Sequence, residues 1–200
     1  MSADRVTVLG GGLAGEEAAL QLARRGLPVD LHEMRPLVRS PAHETDRFAE
    51  VVCSNSFKSL LLTSASGLLK EELRRAGSAL LAIAGTCRVE AGTALAIDRS
   101  VFAERVTQAI LEEPRIRVHR GEVTALPATG CTIIATGPLT SDTLAEHLAL
   151  FLGRDRLFFY DATAPVVTEA SIDREIVFAA NRRGRGVGHY LNCPFDEETY

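Results

Sequence analysis

The stretch VTVLGGGLAGEEAALQLARRGLPVDLHE, residues 6–33, decides the fold. Val6 to Leu9 is a compact apolar run ending in glycines, and Leu13 to Arg25 then carries Ala18, Ala19, Leu22 and Ala23 at helical spacing. Gly26 predicts the end of that helix, and Val29 to Glu33 reads as a second strand. Strand, glycine turn, helix and strand form a βαβ unit, whose crossover is right-handed and whose strands run parallel. The fold class is therefore α/β, a Rossmann-like unit built on a parallel sheet.

Gly10, Gly12 and Gly15 give G-x-G-x-x-G directly after the strand, with Gly11, Leu13 and Ala14 filling the loop. Gly10 permits a tight turn, Gly12 lets the backbone approach a pyrophosphate, and Gly15 lets helix and strand pack closely. The helix start then offers free N–H groups and about half a positive charge to an anion. Glu33 ends the second strand about 20 residues on, where an acid hydrogen-bonds ribose hydroxyls and repels a ribose 2′-phosphate. NADP is thus disfavoured as the ligand of this loop. The plainer reading is a glycine turn with a surface acid, and the loop itself does not choose between FAD and NAD. Two later features favour FAD: a strand ending in Ala135-Thr136-Gly137, which resembles the second flavin contact of two-dinucleotide-fold flavoproteins, and Glu122-Val123 before it.

Outward from this unit, Leu69, Leu73, Ala76, Leu80 and Ile83 predict one amphipathic helix with Gly77 weakening its middle. Thr93 to Ile97 reads as a short strand, and Asp98 as the N-cap of a helix burying Val101, Phe102, Val106 and Ile110. Ile116 and Val118 alternate with polar residues, as in a half-exposed strand. Cys131 to Ala135 has the composition of a buried strand, and Leu144, Leu148 and Phe151 mark another helix. Beyond Gly153 the texture changes to short strands, at Leu157 to Tyr160, Val166 to Thr168 and Ile176 to Ala179. A transition near residues 140–155 divides a Rossmann-like domain, residues 1–145, expected to be the FAD-binding one, from the opening of a smaller α+β domain, residues 146–200, expected to serve the substrate.

The chain has 200 residues, 46% hydrophobic and 24% charged, which excludes disordered, collagenous and membrane-spanning classes. A net charge of −4 gives no general attraction for nucleic acid, so any RNA contact is local. The N-terminus has no apolar signal core, and a cytoplasmic address is expected. Cys53, Cys87, Cys131 and Cys193 are dispersed, with no CxxC pair, and the five histidines show no metal spacing, so neither a disulfide framework nor a metal is expected. Cys87, Cys131 and Cys193 read as structural, and His147 as a surface residue.

Cys53 stands where glutathione-reductase-like flavoenzymes carry a CxxxxC disulfide, but the fifth residue on is Lys58, which disfavours dithiol chemistry. Ser54, Asn55 and Ser56 are good N-cap residues before a leucine-rich segment. A helix N-terminus and a nearby ammonium both favour thiolate; lowering the pKa from about 8.5 to about 6.5 raises the thiolate fraction at pH 7 from roughly 3% to roughly 75%. The alternative is a buried structural thiol.

The strings GGGLAGEEAA, LHEMRP, VVCSNSFKS, GLLKEELR, AGTALAIDR, IIATGPLTS, FFYDATAPVV and YLNCP resemble, in order and spacing, the folate- and FAD-dependent tRNA uracil-5-methyltransferases, the TrmFO family. The resemblance spans almost the whole chain. It implies a flavoprotein that takes a methylene from 5,10-methylenetetrahydrofolate, reduces it with electrons from NAD(P)H through FAD, and methylates the T-loop uridine at tRNA position 54. By the same resemblance Gly10, Gly11, Gly12, Leu13, Ala14, Gly15 and Glu33 hold the ADP half of FAD. Ala94, Val123 and Gly137 then lie near the cofactor, and Cys53 matches the family cysteine close to flavin and uridine. A thiolate is the usual addend that makes uracil C5 nucleophilic. Arg182, Arg183 and Arg185, with Gly184 and Gly186, form a locally cationic loop assigned to tRNA backbone or folate glutamates; a solvated turn is the alternative.

The chain departs from the family where Asn181-Arg182-Arg183-Gly184-Arg185 replaces Ser-Arg-Tyr-Gly-Lys, and where His189 replaces an acid. Family members are also more than twice as long, and by the resemblance their C-terminal half completes the flavin domain and brings a second cysteine proposed as a nucleophile. Two rival readings are a wobble-uridine-modifying flavoprotein of the MnmG/GidA type and a non-catalytic dinucleotide-binding module.

Overall fold

A computed structural model of the chain describes residues 5–153, 167–180, 188 and 190–196. Strand β1 (Val6–Leu9) leads through the glycine loop into helix α1 (Leu13–Arg24) and strand β2 (Val29–Glu33). Strand β3 (Ser56–Ser59), helices α2 (Ala65–Arg75) and α3 (Ala79–Thr86), and strands β4 (Arg88–Val89) and β5 (Ala94–Ile97) follow. Helix α4 (Arg99–Glu112), strands β6 (Ile116–Arg120) and β7 (Thr132–Ile134), and helix α5 (Asp142–Phe151) complete the main body. Strands β8 (Phe178–Ala180) and β9 (Tyr190–Asn192) form a separate antiparallel pair.

The first sheet has the order β6-β2-β1-β7, parallel throughout. Its fold is the Rossmann-like α/β arrangement. A second, antiparallel sheet has the order β3-β5-β4. Val8, Val29, Leu31 and Ile116 from the parallel sheet pack with Ala19, Leu20 and Ala23 of α1 and Phe102, Val106 and Ile110 of α4 in one core. Helix α4 begins as expected: the Asp98 carboxylate accepts hydrogen bonds from the Ser100 and Val101 N–H groups, both at 3.0 Å.

Gly26 ends α1 with a positive φ of 83°, its N–H donating to the Ala23 carbonyl and that of Leu27 to the Leu22 carbonyl. This is the Schellman cap, which favours glycine. The same device corrects the expectation of a single helix through residues 69–83. Gly77 has a φ of 79°, its N–H donates to the Arg74 carbonyl and that of Ser78 to the Leu73 carbonyl. The chain then restarts as α3, with the Ser78 hydroxyl accepting from the Leu81 N–H. Leu69 and Leu73 on α2 are consequently exposed, while Leu80 on α3 is buried.

Other expectations shift for topological reasons. Strand β7 pairs only with β1 among the described residues, so it is an edge strand, and Cys131 and Ile134 are exposed where burial was expected. Of the three cysteines read as structural, Cys87 is buried and Cys193 is exposed. Residue 145, the expected end of the first domain, lies inside α5. The expected strand at Leu157 to Tyr160 lies outside the described residues, Val167 and Thr168 precede a 3-10 turn, and the Ile176 segment forms β8 two residues late. No described helix is long and apolar enough to cross a membrane.

Glu17 joins α1 to α3. Its carboxylate accepts from the Ser78 hydroxyl and from the Ala79 and Leu80 N–H groups at 2.8, 3.0 and 2.9 Å, a side-chain cap supplied by another helix. Burial opposes its ionisation, but the donors from Leu80, Ser78, Gln21 and Ala79 outweigh burial and hold its pKa below the usual carboxylate value. A depressed folded-state pKa contributes stability above the unfolded value and loses it as pH falls. Glu17→Ala is therefore expected to cost about 1–2 kcal/mol at pH 7. In urea titrations the gap between the two proteins should narrow as pH falls below about 4.5.

Candidate dinucleotide site

The carboxyl ends of β1, β2, β6 and β7 open onto one cleft of about 340 Å³. It lies where successive connections leave β1 in opposite directions, the usual ligand position of an open α/β sheet. Gly10, Gly11, Gly12, Leu13, Ala14, Glu33, Val123, Gly137 and Cys53 all line it. Gly15 stands behind the loop, where a Cβ would come 1.9 Å from the Gly10 carbonyl oxygen. Gly10 has a φ of 106° and no room for a side chain beside the backbone of Ala135. Gly12 is different: it is the N-cap of α1, with ordinary extended backbone, and a Cβ there would meet nothing within 4 Å. Turn and packing thus fall to Gly10 and Gly15, while Gly12 leaves the helix start open.

Glu33 is almost wholly buried. Its Oε2 accepts from the Gly11 N–H at 2.7 Å, and its Oε1 accepts from the backbone N–H and Nε of Arg35 at 3.0 and 2.8 Å. Burial pushes its pKa up, but the Arg35 side chain and backbone, the Arg35 charge and the Gly11 N–H pull it below the usual range. With two acceptor positions on each oxygen, Oε2 retains one for an incoming hydroxyl. The sequence reading did not include Arg35 or Glu50. Arg35 Nη1 reaches Glu50 Oε2 at 3.2 Å, so one buried guanidinium bridges two carboxylates. An arginine two residues after the strand-ending acid was the available signal.

Glu16, in the first turn of α1, is fully buried, and neither carboxylate oxygen has a hydrogen-bond partner among the described residues. Burial, then the charge of Glu33, raise its pKa well above the usual value, against the opposing charges of Arg120 and Arg35. For a raised folded-state pKa, stability is lost as pH rises above the unfolded value. Glu16→Gln mimics the neutral acid. It is expected to exceed the parent in stability at pH 8, where the buried carboxyl of the parent resists ionisation, and to converge with it below about pH 4. Urea unfolding at both pH values checks this.

Cys53 is exposed and lines both the dinucleotide cleft and a second groove of about 550 Å³ bordered by Ser54, Asn55, Asp98 and Arg99. The expected helix start is absent. Ser54 accepts from the Ser56 N–H in a local turn, Asn55 bonds to the Ile97 carbonyl, and the chain enters β3. Helix α2 is capped by Ser64 instead. Local helix-dipole activation of the thiol is therefore withdrawn, because pairing with β5 claims the backbone that would have formed the helix. Ala94 lies in β5 and does not line the cleft. Arg182, Arg183, Arg185 and His189 lie outside the described residues. His147 is half-buried on α5. No group of metal-ligating side chains occurs among the described residues.

A model of the glucose inhibited division protein A family, GIDA, matches residues 5–200. The chain belongs to the GIDA family. Within reach of that family, relatives named methylenetetrahydrofolate-tRNA-(uracil-5-)-methyltransferase TrmFO are 54% identical in Dictyoglomus thermophilum and 56% identical in Pelobacter propionicus. Each alignment covers 98% of this chain, but 45% and 43% of those proteins. The chain therefore spans less than half the length of these relatives. Among solved structures, GidA of Aquifex aeolicus superposes with a TM-score of 0.54 at 16% identity, over 67% of this chain and 25% of that one, which supports the GIDA-type fold.

Proposed function

We propose that this chain supplies the dinucleotide-binding part of a folate-dependent, flavin-mediated tRNA methyltransferase, an enzyme that methylates C5 of the T-loop uridine at position 54 from 5,10-methylenetetrahydrofolate. The observation that carries the reading is the opening of Cys53 onto the same cleft as the Gly10–Gly15 loop and Glu33. The residues fit FAD: Gly12 leaves open space at the helix start, and Glu33 retains an acceptor position for a ribose hydroxyl. When bound, FAD supplies the electrons, taken from NAD(P)H, that reduce the transferred carbon unit. The N-terminus of α1 would hold the pyrophosphate, and the Val123 and Gly137 segments, which line the cleft, would border the rest of the cofactor. Cys53 opens onto both cleft and groove, where addition of its thiolate to uracil C6 would place the electron pair on C5; once C5 has taken the carbon unit, loss of the C5 proton would expel the thiolate.

The groove bordered by Ser54, Asn55 and Arg99 gives a base extruded from its stack a route to the thiol. Arg182, Arg183 and Arg185 contact tRNA phosphates or folate glutamates. Residues 1–145 serve the cofactor and residues 146–200 begin the substrate domain, in a cytoplasmic protein. The 54% identity to TrmFO relatives favours this reading over wobble-uridine modification.

The test uses the full-length protein with FAD, NADH or NADPH, 5,10-methylenetetrahydrofolate and a tRNA transcript. Mass spectrometry is expected to find one added methyl at position 54. A product at the wobble uridine would transfer the protein to the other branch, and a protein that takes up no FAD would return it to a non-catalytic module.

A further inference from the structure

Arg35 is 2% exposed, and its guanidinium joins two parts of the cleft wall. One nitrogen is bound to Glu33 Oε1 at 2.8 Å, and another to Glu50 Oε2 at 3.2 Å. Glu50 in turn accepts from the N–H groups of Glu44 and Thr45 and from the Thr45 hydroxyl, and it stands three residues before Cys53. A second strut runs alongside. The Gly11 N–H donates to Glu33 Oε2 while the Gly11 carbonyl accepts from the Ala49 N–H at 2.9 Å. Ala49 has a φ of 50°, in the left-handed region, and Phe48 is clamped under the Arg120 guanidinium at 4.1 Å. The segment carrying Cys53 is thus held by the same groups that shape the ribose end of the cleft.

We propose that Arg35 is a positioning residue that ties the acid at the ribose end of the cleft to segment 48–53, so that filling the nucleotide end changes the setting of the Cys53 thiol. This rests on the dinucleotide reading given above. A ribose hydroxyl donating to Glu33 joins the acceptor set that Arg35 and Gly11 already use, and the adjustment passes through Arg35 to Glu50. Coupling of this kind is reciprocal, so a change at segment 48–53 also alters nucleotide affinity.

ADP is the probe, because it fills the nucleotide end and carries no flavin to cover the thiol. In the full-length protein stripped of nucleotide, the rate of Cys53 alkylation by iodoacetamide is followed by peptide mass spectrometry with and without saturating ADP. Cys131, at the opposite end of β7 from the cleft, serves as internal control. ADP is expected to change the Cys53 rate about fivefold or more, the lower range of intersite coupling, and to leave Cys131 unchanged. In Arg35→Met the protein should still bind ADP by calorimetry, with the Cys53 response reduced to less than about twofold. Glu50→Ala removes the far end of the link without touching Glu33, and should give the same loss if Arg35→Met does not fold or does not bind ADP. An equal response in both variants, or none in the parent protein with ADP bound, overturns the proposal. Absence of ADP binding in the parent overturns the dinucleotide reading itself and the proposal with it.

Discussion

Gly15→Ala is expected to destabilise the full-length protein by more than about 3 kcal/mol, because two backbone segments cannot move apart to admit a methyl group. The added Cβ would lie 1.9 Å from the Gly10 carbonyl oxygen, and no side-chain rotation relieves that contact. Gly12→Ala is the counterpart. Its Cβ points into open space and its backbone is extended, so stability should change by less than about 1 kcal/mol, the scale of an N-cap substitution. The methyl group would instead occupy the approach of the pyrophosphate. Thermal unfolding and FAD titration, followed by the change in flavin fluorescence, separate the two: Gly15→Ala loses fold and ligand together, and Gly12→Ala loses ligand alone. A Gly12→Ala protein with unchanged FAD affinity would remove the pyrophosphate from the start of α1.

Cys53→Ala is expected to keep FAD and to lower tRNA methylation by about two orders of magnitude or more, as removal of a covalent nucleophile does. Retention of the cofactor follows from position. The thiol is exposed at the shared border of cleft and groove, and it makes none of the contacts that shape the glycine loop or Glu33. Flavin absorbance of the purified variant and methyl transfer to a tRNA transcript are the two readings. Normal methylation would make Cys53 a bystander, and joint loss of flavin and activity would make it part of the cofactor site.

The parts of this structure legible in the sequence are those in which local chemistry and tertiary position coincide. The glycines at 10, 12 and 15, the acid at 33 and the cap at Asp98 have roles set by φ, by lack of a Cβ, or by a side chain reaching its own helix. Gly77 was visible, but its reading as a weak point in one helix overlooked Ser78, which caps the next; the Gly-Ser pair forms a stop and a start. The polar run after Cys53 misled because capping residues also suit a tight turn into a strand, and the choice was made by pairing with β5, some forty residues away. The Arg35 bridge was illegible for the same reason: its partners Glu33 and Glu50 are chosen by the path of the chain between them. Glu16 reads as an ordinary acid in a helix's first turn, and only the packed fold reveals that its carboxyl is shut away.

The pairing of Thr7 with Thr132 sets an order of events during synthesis. At about 5–20 residues per second, a ribosome delivers β7 roughly 6–25 s after β1. Until then one edge of β1 is unpaired, and Gly10 lacks the Ala135 backbone that roofs it. In the nascent chain the Gly10 turn therefore gains its packing against Ala135 and Thr136 only after β7 has left the exit tunnel.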